Sequence, residues 1–280
     1  MTEPLRTAFV YDFDGTLAPG SVQEHELLPH LGIDGPAFWG RVKEETKRRN
    51  ADEILVYMHL LVEEARSRGE PLTRDRLAGC GPTVRLFEGV RSWFERIDAH
   101  ARERNLVLEH YVISSGTHEI LEHTPIARHF QAIFASRYAW DAAGVAMWPA
   151  VAINYTTKTQ YLFRINKGVL NHWDNEQVNR WVPMAERPVP FSRMVYFGDG
   201  DTDIPAMKMT HYQGGHAIAV FDPEKWREPR MQRKVHQLIS EDRANYVVPA
   251  DYTEGSQLDV TVKGILGKIA RNEAGYRVAD

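Results

Sequence analysis

Residues 7–20 read TAFVYDFDGTLAPG, an apolar run followed by two acidic residues and a glycine. The apolar run Ala8–Tyr11 is typical of a strand that is buried on both faces of a sheet. Two carboxylates, Asp12 and Asp14, follow directly, and Gly15 then permits a tight turn. Such an acidic residue often serves only as a turn or helix-capping group. It can also mark a ligand site, since open α/β sheets bind ligands at the carboxyl ends of their strands.

Four further apolar runs predict strands, at Tyr111–Ile113, Ala132–Ala135, Met194–Phe197 and Ala217–Phe221. Helical stretches separate them, such as GVRSWFERIDAHARERN, whose apolar residues share one helix face. Strands that alternate with helices are typical of βαβ units. The sequence therefore predicts an α/β fold, with a Rossmann-like parallel sheet between two layers of helices.

Polar residues end three of the predicted strands. Asp12 follows the first strand, Ser114 ends the run HYVIS, and Asp199 follows the run RMVYFG. If these strands are neighbours in the sheet, their carboxyl ends meet at one edge and the three side chains converge. Each of these residues alone is common in loops, but the three together indicate a ligand site.

Residues 21–82 interrupt this rhythm and predict an all-helical subdomain inserted after the first strand. The core would then comprise residues 1–20 and 83–280, with turn-rich hinge segments at 18–21 and 79–82. The clearest helix of the insertion is predicted to begin at Asn50, with Glu53 completing a capping box. Its predicted apolar face consists of Ile54, Leu55, Met58, Leu61, Val62 and Ala65.

The composition is that of an ordinary globular protein. The 280 residues are 43% apolar and 26% charged, and the net charge of −4 gives no electrostatic basis for binding nucleic acid or an anionic membrane. The single cysteine, Cys80, excludes an internal disulfide. The N-terminal apolar run is short for a signal peptide, and no stretch approaches the ~18 residues that span a bilayer. A cytoplasmic protein is the default expectation.

The segments around the three strand ends resemble motifs of the haloacid dehalogenase-like hydrolase superfamily. DFDGTL resembles the first motif, the Asp-x-Asp-x-Thr of its phosphatases, and YVISSG is similar to the second, a strand ending in Ser or Thr. VYFGDGDTD is similar to the fourth, in which a second Asp follows Gly-Asp by four residues. A hairpin predicted around Asp141–Gly144 is similar to one in the phosphoserine-phosphatase-like branch.

This resemblance implies Mg²⁺-dependent hydrolysis of a phosphomonoester. Asp12 would be the nucleophile, forming an aspartyl-phosphate, and Asp14 would act as general acid and then general base. The implied metal ligands are the carboxylates of Asp12 and Asp199 and the main-chain carbonyl of Asp14. Asp203 would support the metal site or a lysine.

The resemblance also implies a set of phosphate-binding groups. Thr16 and Ser114 would offer hydroxyl and backbone N–H groups, and Ser115 and Gly116 would add backbone donors.

The family also uses a lysine between its second and fourth motifs, and the chain has two candidates, Lys158 and Lys167. A helix predicted to open near Thr157 would place Lys158 at its N-terminal end. Lys167 would lie more than two turns away at ~1.5 Å per residue, so the pattern favours Lys158.

An insertion after the first motif implies a cap that closes over the site, which favours a small phosphorylated metabolite as substrate. Four alternatives stay open at this stage. The first two are a phosphotransferase or mutase and a dehalogenase of the same superfamily. The others are a receiver-like signalling module, in which an aspartyl-phosphate is a switch, and a catalytically silent binding protein.

Overall fold

The computed structural model describes residues 3–200 and 202–276, and a sheet forms its centre. The strands within these residues are β1 (Leu5–Tyr11), β2 (Leu106–Thr117), β3 (Phe130–Trp140), β4 (Ala146–Val151), β5 (Met194–Gly198), β6 (His216–Phe221) and β7 (Tyr246–Pro249). They are ordered β4-β3-β2-β1-β5-β6-β7, and every neighbouring pair is parallel except β3 and β4. The predicted parallel sheet is confirmed, and β7 extends it at an edge for which we had predicted no strand.

The α-helices of the described residues are α1 (Leu28–His30), α2 (Gly35–Arg49), α3 (Glu53–Ser67), α4 (Arg74–Cys80), α5 (Val90–Arg102), α6 (His118–Leu121), α7 (Lys158–Lys167), α8 (Asn175–Asn179), α9 (Ile204–Tyr212), α10 (Pro229–Ser240) and α11 (Gln257–Tyr276). A π-helical turn, Gln23–Leu27, precedes α1. Among these helices, none is both long enough and apolar enough to cross a bilayer.

Helices cover both faces of the sheet, which gives the predicted three layers. Successive residues of β1 point to opposite faces. Phe9 and Tyr11 pack with Trp93 of α5 and Val262 of α11 in one apolar core. Ala8 and Val10 belong to the other core, together with side chains of α7, α9 and α10. A strand in this position must be apolar on both faces, which explains the uninterrupted run that precedes Asp12.

Residues 21–82 fold into the π-helical turn and α1–α4, as predicted for an all-helical segment. The start of α3 differs from the prediction. Asp52 caps this helix, since its carboxylate accepts hydrogen bonds from Ile54 N and Leu55 N. Asn50 instead ends α2 in the left-handed conformation, with φ of 48°, which asparagine tolerates better than most residues. The predicted apolar face also included Leu55 wrongly, because that side chain is 43% exposed.

The β3–β4 hairpin packs against the helical segment. The turn predicted at Asp141–Gly144 is confirmed, but the first strand of the hairpin is not separate, because β3 runs on without a break from the predicted Ala132–Ala135 run. The hairpin pairs with the segment before α4, as Ala146 N donates to Leu72 O at 2.9 Å. Tyr138 of β3 donates its hydroxyl to Met58 O of α3, also at 2.9 Å.

Candidate active site

Asp12 lies at the middle of the sheet edge, because β1 is flanked by β2 and β5. Its N–H donates to Phe197 O at 2.8 Å. This hydrogen bond extends the pairing of β1 with β5 as far as Asp12, directly before the turn. Gly15 makes that turn with φ of +73°, and a Cβ atom there would lie 2.8 Å from Asp199 Oδ2. The glycine is therefore required both for the backbone conformation and for the close approach of Asp199.

Asp14 points toward the helical segment rather than into the sheet. Its Oδ1 accepts a hydrogen bond from Val22 N at 3.0 Å. Gln23 is buried beside it, and the amide orientation that satisfies both of its ends donates to Asp14 Oδ2 at 3.1 Å and accepts from Thr117 N at 2.8 Å. The sequence analysis missed Gln23, because no pattern shows which residue of an insertion faces a site.

Lys158 is wholly buried at the first position of α7, where its ammonium joins two of the acidic residues. Its Nζ lies 3.0 Å from Asp12 Oδ1 and 2.7 Å from Asp203 Oδ1. Lys167 lies at the other end of the helix and donates to the carbonyls of Val178 and Arg180 at 2.6 and 2.7 Å. The structure thus brings Lys158, and not Lys167, to the strand ends.

Asp203 is fully buried and hydrogen-bonded at both carboxylate oxygens. Oδ1 accepts from the Tyr196 hydroxyl at 2.7 Å in addition to Lys158, and Oδ2 accepts from Asp199 N at 3.0 Å. A Cβ atom on Gly198 would collide with this carboxylate, which explains the glycine before Asp199. These contacts suit a residue that orients Lys158 and the Asp199 loop.

Asp12, Asp199 and Asp203 form an acidic cluster that could bind a metal ion. One carboxylate oxygen of each lies within 4.8 Å of the others. The donor set consists of oxygen atoms alone, which fits a hard divalent cation such as Mg²⁺ better than a soft one. Asp203 already accepts several hydrogen bonds. Asp12 and Asp199 are therefore the best-placed ligands for a metal ion.

Lys234 is a second cation at the site that the sequence analysis missed. It projects from α10, for which we had predicted no helix, and its Nζ lies 2.9 Å from Asp199 Oδ2. The partner is 35 residues away in the chain, so the contact depends on how α10 packs against the sheet.

The loop that we predicted to bind phosphate lies at the end of β2. Ser114 is buried, and its Oγ accepts a hydrogen bond from Gly116 N at 3.0 Å, so that this N–H already has a partner. The hydroxyl oxygens of Ser115 and Thr16 are buried without a hydrogen-bond partner among the described residues. Tyr57 of α3 donates to Ser115 O at 2.9 Å.

A cavity of about 260 Å³ opens over these groups. Its lining residues are Asp12, Asp14, Gly15, Gly20, Ser21, Ser114, Ser115, Asp199 and Thr202. Five of the predicted site residues therefore face one cavity. Thr16, Gly116, Lys158 and Asp203 are not among the lining residues, although Lys158 contacts Asp12, which is.

Burial dominates the electrostatics of the site. It raises the pKa of Asp12 well above its usual value, and the charge of Asp203 adds to this effect, while Lys158 opposes it. Burial also raises the pKa of Asp14 to about 7. For Lys158, burial acts to lower the pKa, but the charges of Asp12 and Asp203 outweigh it and the pKa is raised. Lys158 is therefore a permanent cation between the two carboxylates.

Several proteins of known structure share this fold. The chain aligns with a phosphoserine phosphatase studied as a phospho-aspartyl intermediate analogue at 15% identity, with a TM-score of 0.53, over 92% of this chain and 98% of that one. It also aligns with a probable phosphoserine phosphatase from Vibrio cholerae at 13% identity, with a TM-score of 0.58, over 97% of this chain and 68% of that one.

Two comparisons concern the sequence itself. An uncharacterized protein of Borreliella burgdorferi is 25% identical over 279 residues, which cover 90% of this chain and 93% of that protein. The family profile described as haloacid dehalogenase-like hydrolase matches residues 9–208, a range that contains every predicted site residue. That range is more than half of the sequence, and the chain belongs to the haloacid dehalogenase-like hydrolase family.

Proposed function

We propose that the protein is a Mg²⁺-dependent phosphomonoester hydrolase that acts on a small phosphorylated metabolite through an aspartyl-phosphate. The observation that carries this proposal is the placement of Asp12. Its carboxylate faces the cavity and is held 3.0 Å from the Lys158 ammonium, with Asp14 and Asp199 beside it. A nucleophile, an acid and a metal-binding carboxylate thereby line one cavity, and a lysine contacts the nucleophile.

In the first step, a carboxylate oxygen of Asp12 attacks phosphorus and the bond from phosphorus to the leaving oxygen breaks. The side chain of Asp14 donates its proton to that oxygen, which leaves as an alcohol. Val22 N and Gln23 hold the Asp14 side chain, so it does not turn away from the leaving group.

In the second step, Asp14 accepts a proton from a water molecule that attacks the aspartyl-phosphate. The bond between phosphorus and the Asp12 oxygen breaks, inorganic phosphate leaves, and Asp12 is regenerated as a carboxylate. Asp14 thus starts and ends the cycle protonated, and atoms and charge balance without a further reactant.

Repulsion between Asp12 and the phosphate dianion is the main electrostatic obstacle. Asp12 and Asp199 would hold Mg²⁺, which would supply positive charge to the phosphate oxygens. Lys158 neutralises charge from the protein side, and Asp203 keeps its ammonium in place. Ser114 and Ser115 line the same cavity, where Ser114 would offer its hydroxyl group and Ser115 its backbone N–H to the phosphate.

We further propose that residues 21–82 act as a cap on a core of residues 1–20 and 83–280. This proposal is supported by contacts of the helical segment with the site, namely Gln23 with Asp14 and Tyr57 with Ser115. A cap that closes on a cavity of about 260 Å³ favours a small substrate over a phosphoprotein. The phosphoserine phosphatases of similar fold are named for one such small ester, so phosphoserine is one of the candidate substrates.

No observation favours the alternatives. A dehalogenase needs neither an acid at Asp14 nor a metal cluster at Asp12 and Asp199. A receiver-like module, a switch that holds its phosphate for long periods, has no use for Asp14 or for the helical insertion. A phosphotransferase or mutase would use the same residues, and acceptor alcohols added to the assay distinguish it by a phosphorylated product.

The test is a release assay for inorganic phosphate with p-nitrophenyl phosphate and a panel of phosphorylated metabolites, with and without Mg²⁺. We expect hydrolysis that EDTA abolishes. We expect D12N and D14N to lower kcat by at least about 1,000-fold, since each removes a group that acts in the chemical step. The proposal is wrong if D12N keeps wild-type activity, or if the wild type hydrolyses no phosphomonoester with any divalent cation.

A further inference from the structure

The N-terminus of α3, in the helical segment, is hydrogen-bonded to the loop that begins α7. Asp52 uses its two carboxylate oxygens for different partners. Oδ1 accepts from Ile54 N and Leu55 N at 2.9 and 3.0 Å and so caps α3. Oδ2 accepts from the side-chain amide of Asn154 at 2.5 Å, across 102 residues of sequence.

Asn154 in turn organises the turn that leads into α7. Its Oδ1 accepts from Thr156 N at 3.2 Å and from Thr157 N at 3.0 Å. Its backbone N–H donates to Thr157 Oγ1 at 2.8 Å, and its carbonyl accepts from Lys158 N at 3.1 Å. The orientation of the Asn154 amide therefore fixes where the backbone of Lys158 begins the helix.

Lys158 has no freedom of its own to absorb a shift of that turn. Its side chain is fully buried, and its ammonium is shared between Asp12 and Asp203 at 3.0 and 2.7 Å. A displacement of the α7 start would lengthen at least one of these contacts. One turn further along α3, Tyr57 donates to Ser115 O. The helix α3 therefore contacts both the loop that leads to Lys158 and the proposed phosphate-binding loop.

We propose that Asp52 and Asn154 are a pair of positioning residues, and that their hydrogen bond couples the docking of α3 to the placement of Lys158. The inference rests on the proposed function, since it concerns the lysine of that site. When α3 is docked, the Asn154 amide is held by Asp52 and the turn is set for Lys158. When α3 moves away, the amide loses its acceptor and the turn loosens.

The experiment exchanges the donor and the acceptor of this pair. In D52N the new amide faces the Asn154 amide, so two donors meet, although the cap of α3 survives because asparagine caps as well as aspartate. In N154D two carboxylates meet at what was a 2.5 Å contact. In D52N/N154D the amide at position 52 donates to the carboxylate at position 154, while both the helix cap and the turn keep their acceptors.

Two readouts separate the inference from the proposed function. The first is amide hydrogen exchange of residues 154–160, which we expect to accelerate at least about tenfold in each single variant and to return toward wild type in the double variant. The second is phosphatase kinetics. We expect kcat to fall about fivefold in D52N and about 30-fold in N154D, with KM changed less, and to recover to within about threefold in the double variant, because a charge-assisted hydrogen bond is lost and then restored.

The matched control is D34N. Asp34 caps α2 through Ala37 N at 2.9 Å, as Asp52 caps α3, and its hydrogen bond is at the exposed surface. We expect this variant to keep wild-type exchange in the α7 loop and wild-type kcat. The inference is overturned if the single variants leave the exchange of residues 154–160 unchanged, or if the double variant is no better than the two single effects combined. A wild type without phosphatase activity refutes the proposed function instead, and the exchange data still decide whether Asp52 holds the loop.

Discussion

Gly15 is the residue whose replacement tests the geometry of the acidic cluster most directly. We expect G15A to lower the affinity for Mg²⁺ and to lower kcat/KM at least about 100-fold, because a contact of 2.8 Å would push Asp199 out of place. A left-handed alanine also costs about 1 kcal/mol of stability. The control is G144A, which has nearly the same φ, +74°, with nothing within 4 Å of the added atom.

Calorimetric Mg²⁺ titration and urea unfolding of both variants separate the two effects. Both should lose a similar free energy of unfolding, and only G15A should lose metal affinity. Equal metal affinity in the two variants would show that Asp199 does not need the space beside Gly15.

Lys158 is expected to be needed for stability as well as for activity. K158M leaves Asp12 and Asp203 buried without their shared cation, so in EDTA we expect about 3 kcal/mol less stability, and in Mg²⁺ no measurable turnover. K167M removes only hydrogen bonds to the carbonyls of Val178 and Arg180, and should keep wild-type kcat. Chemical denaturation measures the loss of stability, and phosphate release measures the loss of activity. An active K158M would show that Lys158 is not needed for catalysis.

At the scale of the elements, α3 is attached to the core by two buried tyrosine hydroxyls with different consequences. Tyr57 donates to Ser115 O in the proposed phosphate-binding loop, and Tyr138 donates to Met58 O away from it, each at 2.9 Å. We expect Y57F and Y138F to cost a similar free energy of unfolding, about 1 kcal/mol each. Only Y57F should lower kcat, by about tenfold, because it alone releases the Ser115 carbonyl.

Thermal unfolding and phosphatase assays of the two variants check this difference. A similar loss of kcat in Y138F would mean that activity follows the general stability of α3, and that the Ser115 contact has no separate role.

The elements that the sequence predicts well are those whose surroundings are uniform. β1 lies in the middle of the sheet, so an uninterrupted apolar run is enough to identify it, and the helix α5 shows its buried face in its spacing. The start of α3 was predicted wrongly because Asn50 and Asp52 are both good caps. In the structure Asn50 is used to end α2 in the left-handed conformation, which leaves Asp52 to cap α3.

The same distinction applies to the site. Asp12, Ser114 and Asp199 could be predicted to converge, because the ends of parallel strands share one edge of a sheet. Gln23, Tyr57 and Lys234 could not, because each reaches the site from an inserted segment or a late helix. Their positions depend on the packing of the whole molecule.

At the scale of the whole molecule, buried ionisable groups make stability depend on pH in two opposing ways. Burial lowers the pKa of His216 to about 4, with smaller effects from Lys268 and His211, so the folded protein keeps this histidine neutral while the unfolded chain takes up a proton below about pH 6.5. His216 thus favours unfolding progressively as pH falls from about 6.5 to 4. Burial raises the pKa of Asp14 to about 7, so between about pH 4 and 7 that group disfavours folding as pH rises.

Because these effects oppose each other, the histidine is tested by the difference between two variants rather than by the slope of the wild type. His216 is buried at the start of β6. When the pH falls from 8 to 5, we expect the free energy of unfolding of H216Q to decrease by up to about 2 kcal/mol less than that of the wild type. H236Q, which removes an exposed histidine of α10, should follow the wild-type curve. Urea unfolding in EDTA at four pH values gives the slopes, and parallel curves for wild type and H216Q would show that His216 takes up its proton equally in both states.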